Sequence, residues 1–216
     1  MDLKLLLLIN RDWTNPLADR LMAVMSSLDF WLPFLGLAAL VLAIRGKFHG
    51  RAFLVTVLLI LAVNDSLVAN ALKHAVHRMR PNQALSGVRV VDLARAKPRL
   101  LAVAKPLKIT LSTVEPDAGQ GRSFPSGHAF NTMTMATIAA LFYPRFGWMT
   151  FLLPLIVGYS RVYVGSHWPS DVLASLILGG CLSLLFVRLA ELGWRKWGAR
   201  VLPRVHSRHP LLLATS

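Results

Sequence analysis

Apolar runs about twenty residues long, separated by short basic stretches, restrict this chain to very few folds. The clearest are residues 52–72 and 172–192. A hydrocarbon core of about 30 Å is crossed by a helix of about 20 apolar residues. In lipid every backbone N–H and C=O must be satisfied within the segment, so such a run reads as a membrane-spanning helix. Composition agrees: 55% of the 216 residues are hydrophobic and 16% charged, against about 45–50% and about 25% in soluble domains. The formal charge of +14 lies between the apolar runs and not in one soluble patch. It reads as topology signal, anionic headgroup contact or phosphate ligand, and argues against a nucleic-acid partner. The single Cys181 sits inside an apolar run, which leaves no disulfide framework and no cysteine metal site.

The pattern predicts one all-α domain, a polytopic transmembrane helical bundle of about five spans. The spans fall near 28–44, 52–72, 126–142, 148–164 and 172–192, within a bundle of residues 28–192. Residues 1–27 read as an N-terminal interfacial helix and linker. Leu3–Ile9 is too short to cross, and Trp13 is suited to anchor it. A cleaved signal peptide fits less well, because Arg11 and Asp12 follow at once without a small-residue cleavage site. Residues 82–124 form a loop, with 92–109 a candidate membrane-lying lid. Residues 193–216 form a basic tail. Arg45, Lys47, Arg51, Arg145 and the tail share one face, cytoplasmic by the positive-inside rule. The opposite face then holds 73–125 and 160–171 together. The basic residues of that loop, Arg89 to Lys108, have substrate binding as another reason to be there.

That face carries three clusters. The first, Lys73-His-Ala-Val-His-Arg-Met-Arg80-Pro81, puts two cations two helical turns apart if the helix continues. They either complement a helix C-terminus or bind an anion. His74 and His77 have no nearby carboxylate or Cys and read as interfacial. The second, Phe124-Pro-Ser-Gly-His128, opens a helix whose free N–H groups, under little steric cover, form a ready anion site. It also reads as a simple capping turn with an interfacial histidine. The third, Ser160-Arg161 to His167 and Asp171, joins a cation, an imidazole and a carboxylate. Pro169 suits a first helical position, so Asp171 falls in the first turn, where it can fold back toward His167. That bond would fix one tautomer and leave the other nitrogen as nucleophile. An interfacial Arg within an aromatic belt accounts for each residue alone, but not for three clusters on one face.

Together, Lys73-x6-Arg80-Pro81, Pro125-Ser126-Gly127-His128 and Ser160-Arg161-x5-His167-x3-Asp171 resemble the three-part signature of the type 2 phosphatidic acid phosphatase family, in order and spacing. The resemblance covers roughly residues 52–192. It implies a haloperoxidase-like membrane bundle acting through a phosphohistidine, with no metal or other cofactor. It makes His167 the nucleophile, Asp171 its orienting partner and His128 the acid for the leaving group. Lys73, Arg80 and Arg161, helped by Ser126 and the backbone at Gly127, would hold the phosphate. Elementary chemistry concurs: three cations around one phosphate stabilise charge on its oxygens, and a two-metal mechanism needs several carboxylates, where the clusters supply only Asp171.

Elsewhere, Asn64, Asp65 and Ser66 within the second span read as an interhelical hydrogen bond. Ser175, Gly179 and Ser183 mark a close-packing face. Asn131, Thr132 and Thr134 back the pocket. The expected activity is hydrolysis of a terminal lipid (di)phosphate in the cell's inner membrane, from a site facing the periplasm. Undecaprenyl diphosphate comes first, then phosphatidylglycerophosphate, phosphatidic acid and lipid A phosphates. The partners are the lipid substrate and the bilayer. A phosphotransferase passing the phosphate to an acceptor lipid such as lipid A would use the same residues. A vanadate haloperoxidase shares similar motifs but is soluble, and a non-catalytic lipid-binding or transport protein would have no need of His167.

Overall fold

The computed structural model describes residues 1–114 and 121–213. The expected loop and tail therefore extend, at 115–120 and 214–216, outside the described residues. The chain is an all-α transmembrane bundle with one small β-hairpin. Its helices are α1 (Asp2–Leu7), α2 (Pro16–Ser26), α3 (Leu28–Arg45), α4 (Phe48–Val63) and α5 (Asn70–Val76), then the short α6 (Pro81–Ala84). The hairpin pairs β1 (Arg89–Asp92) with β2 (Lys108–Leu111) antiparallel, Arg89 opposite Leu111. There follow α7 (Gly127–Phe142), α8 (Leu152–Tyr163), α9 (Pro169–Val201) and α10 (Pro203–His206).

Among the described residues three helical stretches are long and apolar enough to cross a membrane: Leu28–Arg45, Phe48–Ala84 and Pro169–Val201. The expected third and fourth spans are shorter. α7 has 16 residues, and α8 has 12 after a five-residue 3-10 turn, Gly147–Phe151. α7 is short because it starts at the site and packs centrally, between α8, α9 and α4. The close packing face is real: Ser175, Gly179 and Ser183 are buried, and a Cβ on Gly179 would stand 2.7 Å from the Phe130 carbonyl oxygen. Asn64 Nδ2 donates to Thr134 Oγ1 at 3.0 Å, which ties α7 to the helix before it. It does so from a π-helical segment, Asn64–Ala69; Asp65 and Ser66 are exposed.

The N-terminal segment, expected as an interfacial helix, also packs one side into the bundle. Leu6 and Ile9 join a core cluster with Val162, Tyr163 and Val91, and α2 packs along α8. Buried Asn10 donates to the Tyr163 and Arg89 carbonyls at 2.6 and 2.8 Å and accepts from the Arg89 N–H at 2.9 Å. Buried polar groups need such partners, and Asn10 thereby docks the hairpin on the bundle. The loop's charges are also structural in part. Arg89 grips both oxygens of Asp19 at 2.9 and 3.0 Å, and Tyr163 donates its hydroxyl to the same carboxylate at 2.8 Å. The expected lid, 92–109, holds a 3-10 helix, Arg99–Ala104, with its Val103 carbonyl bonded to Arg20. Gly165 closes the turn after α8 at φ 73°, where an added Cβ would stand 2.5 Å from the Arg89 carbonyl oxygen.

Candidate active site

Chain direction brings the three clusters to one end of the bundle. α5 ends there with Lys73 in its last turn, and α8 ends there with Arg161 in its last turn. α7 and α9 start there, with Ser126 and Trp168 as their N-caps. Arg80 caps α6 beside them.

His167 is 3% exposed. Its Nδ1 lies 2.7 Å from the Ser123 carbonyl oxygen. A carbonyl can only accept, so Nδ1 carries the proton and Nε2 keeps its lone pair. The charges of Arg161, Arg80 and the neighbouring His128 all bear on this ring. Burial, and after it the Arg161 and Arg80 guanidiniums, hold the His167 imidazole well below its ordinary value of 6.5. The charges of Arg161, Arg80 and Lys73 converge on His128 as well. Arg161 and Arg80 thus lie near both imidazoles, and Lys73 near His128.

Lys73 and Arg80 have no side-chain hydrogen bond or ion pair among the described residues, whereas Arg161 donates to the backbone and hydroxyl oxygens of Ser26. Its Nε is buried without a partner. Cations left uncompensated this way call for an anion.

The start of α7 has the matching geometry. No side chain caps this helix, so the N–H groups of Gly127 and His128 point outward as unmatched donors. A Cβ placed on Gly127 would meet nothing within 4 Å, leaving room for an anion against the backbone. The Ser126 hydroxyl is buried without a partner. The Ser126 N–H, in contrast, is occupied at 2.8 Å by Ser175 Oγ, so Ser126 has only its hydroxyl to offer.

Asp171 does not take the expected position beside His167. Its carboxylate, fully buried, accepts instead from Arg78 at 2.6 Å, Ser123 Oγ at 2.5 Å and the Trp168 N–H at 3.4 Å. An unpaired buried carboxylate is costly, and Arg78 together with Ser123 satisfies it better than one imidazole would. Ser123 thus links Asp171 to His167: its hydroxyl is held by Asp171 while its carbonyl holds the ring. Sequence reasoning passed over Arg78, Ser123, Asp2 and Ser26. Arg78 also bonds Asp2 at 2.6 Å and Ser170 at 2.8 Å, and its guanidinium lies over the Trp168 ring. Two further bonds bind the clusters: Ser123 N–H to the Arg78 carbonyl at 2.8 Å and the Trp168 indole to the Met79 carbonyl at 2.8 Å. The one available signal was Arg78 itself, a third cation inside the first cluster.

His74 and His77 stay outside. His74 bonds the Asn70 carbonyl and Arg122, and both rings are exposed. Among the described residues no three His, Cys, Asp or Glu side chains are grouped to hold a metal ion.

The family model of the PAP2 superfamily matches residues 53–195. An undecaprenyl-diphosphatase of Sulfolobus acidocaldarius is 43% identical over 72 residues, 33% of this chain and 35% of that protein. The undecaprenyl-diphosphatase BcrC of Bacillus subtilis is 39% identical over 38% of this chain and 42% of its own length. The chain thus matches less than half the length of these curated relatives. A lipid A 4'-phosphatase of Bacteroides thetaiotaomicron aligns more widely, at 26% identity over 88% of this chain and 77% of its own. Among solved structures, LpxE of Aquifex aeolicus superposes with a TM-score of 0.62 at 22% identity, over 87% of this chain and 94% of that one. With the family model spanning most of the chain and its three signature segments meeting at one end of the bundle, the protein belongs to the PAP2 superfamily.

Proposed function

We propose that the chain is a metal-independent membrane phosphatase that removes a terminal phosphate from a lipid (di)phosphate through a phosphohistidine. The observation that carries this reading is the His167 ring, with Nδ1–H spent on the Ser123 carbonyl and a lone-pair Nε2 among cations. Nε2 attacks phosphorus, forming the N–P bond as the bond to the leaving oxygen breaks. His128 gives that oxygen its proton. The charge of the bound phosphate offsets Lys73, Arg80 and Arg161 around His128, so the ring can hold a proton until then. Water then attacks phosphorus, His128 takes the water's proton, and the N–P electron pair returns to Nε2. The three cations, the Ser126 hydroxyl and the Gly127 N–H carry the oxygens in both steps. Asp171 is a positioning residue.

An apolar groove of about 250 Å³ starts at His128 and runs between Leu28, Trp31, Leu35, Met135 and Val157. It supports a hydrocarbon leaving group placed on the side of the proton donor. The first substrate proposed is undecaprenyl diphosphate, with phospholipid and lipid A phosphates next. The membrane proposed is the cell's inner membrane, with the site on its periplasmic face.

The test is phosphate release by purified protein in detergent with chelator present, across those lipids, against His167→Ala. Release that survives chelator and vanishes in the variant is expected. Label recovered on a second lipid in place of free phosphate would make the chain a phosphotransferase, and full activity in His167→Ala would end the reading.

A further inference from the structure

A second cavity lies at the end of the bundle away from His167. α9 starts at the catalytic end and therefore finishes here, and α4 opens here the helical stretch that reaches the catalytic end through α5. α9, at 33 residues, is about 50 Å long and overshoots a core of about 30 Å. The chain then turns back: α10 and the segment after it return along α9. Glu191, 4% exposed, fastens the return by accepting the N–H groups of Leu212 and Leu213 at 2.9 and 3.2 Å while Arg195 holds its other oxygen at 2.5 Å. The expected basic tail is therefore a built part of the fold.

Between α4, α9 and this return lies a groove of about 830 Å³, the size of a ligand pocket. Its deeper wall is apolar, including Ala52, Val55, Leu59 and Ala190. Its outer end carries Arg51, Arg204 and Arg208, with Trp194 and Trp197. Trp at this depth sits at a membrane–water boundary. Among the described residues no carboxylate pairs with Arg51, Arg204 or Arg208. Arg51 donates only to the neutral carbonyls of Ala43 and Ile44. The one nearby acid on α9, Glu191, is already spent.

We propose that this groove is a binding site for an anionic phospholipid of the leaflet opposite the active site. Its phosphate sits among Arg51, Arg204 and Arg208, and one acyl chain lies along α4 and α9. The stretch Phe48–Ala84, which α4 opens, and α9 are both long and apolar enough to cross the bilayer, so the groove opens to lipid. Charge complementarity selects the headgroup.

The site is tested on the full-length protein by native mass spectrometry after reconstitution with phosphatidylcholine, phosphatidylglycerol or both. Retained phosphatidylglycerol in excess over phosphatidylcholine is expected. The doubly substituted Arg204→Gln/Arg208→Gln protein should lose that preference by about fivefold for each guanidinium removed. Val55→Trp, which fills the apolar wall from an exposed position, should lower retention of both lipids while folding and phosphate release persist. Equal retention of the two lipids by the unsubstituted protein, an unchanged preference in the double variant, or a groove sealed between two copies of the chain would each overturn the proposal.

Discussion

A carbonyl oxygen cannot donate, so the contact from His167 Nδ1 to Ser123 assigns the ring's proton and sets Asp171 at one remove from it. The consequences at the residue scale differ from those of a direct Asp–His pair. Ser123→Ala keeps the carbonyl but removes a hydroxyl bond to a buried carboxylate, a bond worth about 1.5–3 kcal/mol. The expected result is kcat lowered about tenfold with KM little changed, measured by phosphate release; full activity would show that Ser123 does not position the ring. Asp171→Asn also removes the charge facing Arg78, and should lower kcat further and reduce the melting temperature. The depressed His167 value has its own signature. The His167 imidazole stays neutral below pH 6.5, so in its proposed role as nucleophile the acid limb of kcat/KM due to this group lies below 6.5. Arg80→Gln removes one cation facing the ring and should move that limb upward while weakening substrate binding. For stability the sign follows the same shift. The unfolded chain takes up the His167 proton near 6.5 while the folded chain does not, so its stability is full above that pH and declines as pH falls below it.

At the scale of elements, the site is four helix ends held in register by contacts far from phosphate. The α7–α9 seam is the tightest of these. Gly179→Val puts a branched side chain where a Cβ already meets the Phe130 carbonyl at 2.7 Å; overpacking of this kind costs about 1–3 kcal/mol. A lower melting temperature in detergent is expected, and an unchanged one would mean that the two helices are not in contact. α1 acts on the opposite side of the site through Asp2, which holds the Ser170 N–H at 3.0 Å and Arg78 at 2.6 Å. Asp2→Ala should lower kcat several-fold without abolishing activity, because Arg78 keeps Asp171. These links also mark what a sequence can disclose. Lys73, Arg80, His128, Arg161 and His167 are legible because each belongs to a short local pattern with its own chemistry. Asp2, Ser26 and Ser123 are ordinary polar residues whose importance comes from contacts across 76 positions, as in Asp2–Arg78, and across 135, as in Ser26–Arg161. Asp171 is legible as a member of the site and misleading as to its partner, since the four-residue spacing from His167 says nothing of an arginine 93 positions away. Hydropathy likewise locates helices by their apolar length, but α7 is interior and short and α8, with one face exposed, is short as well, so their lengths follow packing and not the bilayer.

The whole molecule is polar in the sense of having two unlike ends. One end gathers His167, His128 and the uncompensated cations under the β-hairpin. The other gathers the turn between α3 and α4, with Arg45, Lys47 and Arg51, and the folded-back tail with Arg204 and Arg208. Short basic loops near span ends face the cytoplasm, whereas charges in long loops count for little in that rule. The catalytic end's own basic residues are partly withdrawn from it anyway, Arg89 into Asp19 and Arg99 toward Asp29. The expected orientation therefore puts the phosphate site outside and the lipid groove inside. It can be read with one thiol at a time. Cys181 is the single cysteine of the chain, so Cys181→Ser gives a silent background into which Lys97→Cys, Arg122→Cys or Arg208→Cys is introduced. In intact cells an impermeant maleimide should label the first two, and the third only after the membrane is opened. Labelling of Arg122→Cys and Arg208→Cys from the same side would contradict the bundle's two-ended architecture. Labelling of Arg208→Cys alone from outside would invert it, placing phosphate release in the cytoplasm and the anionic-lipid groove in the outer leaflet.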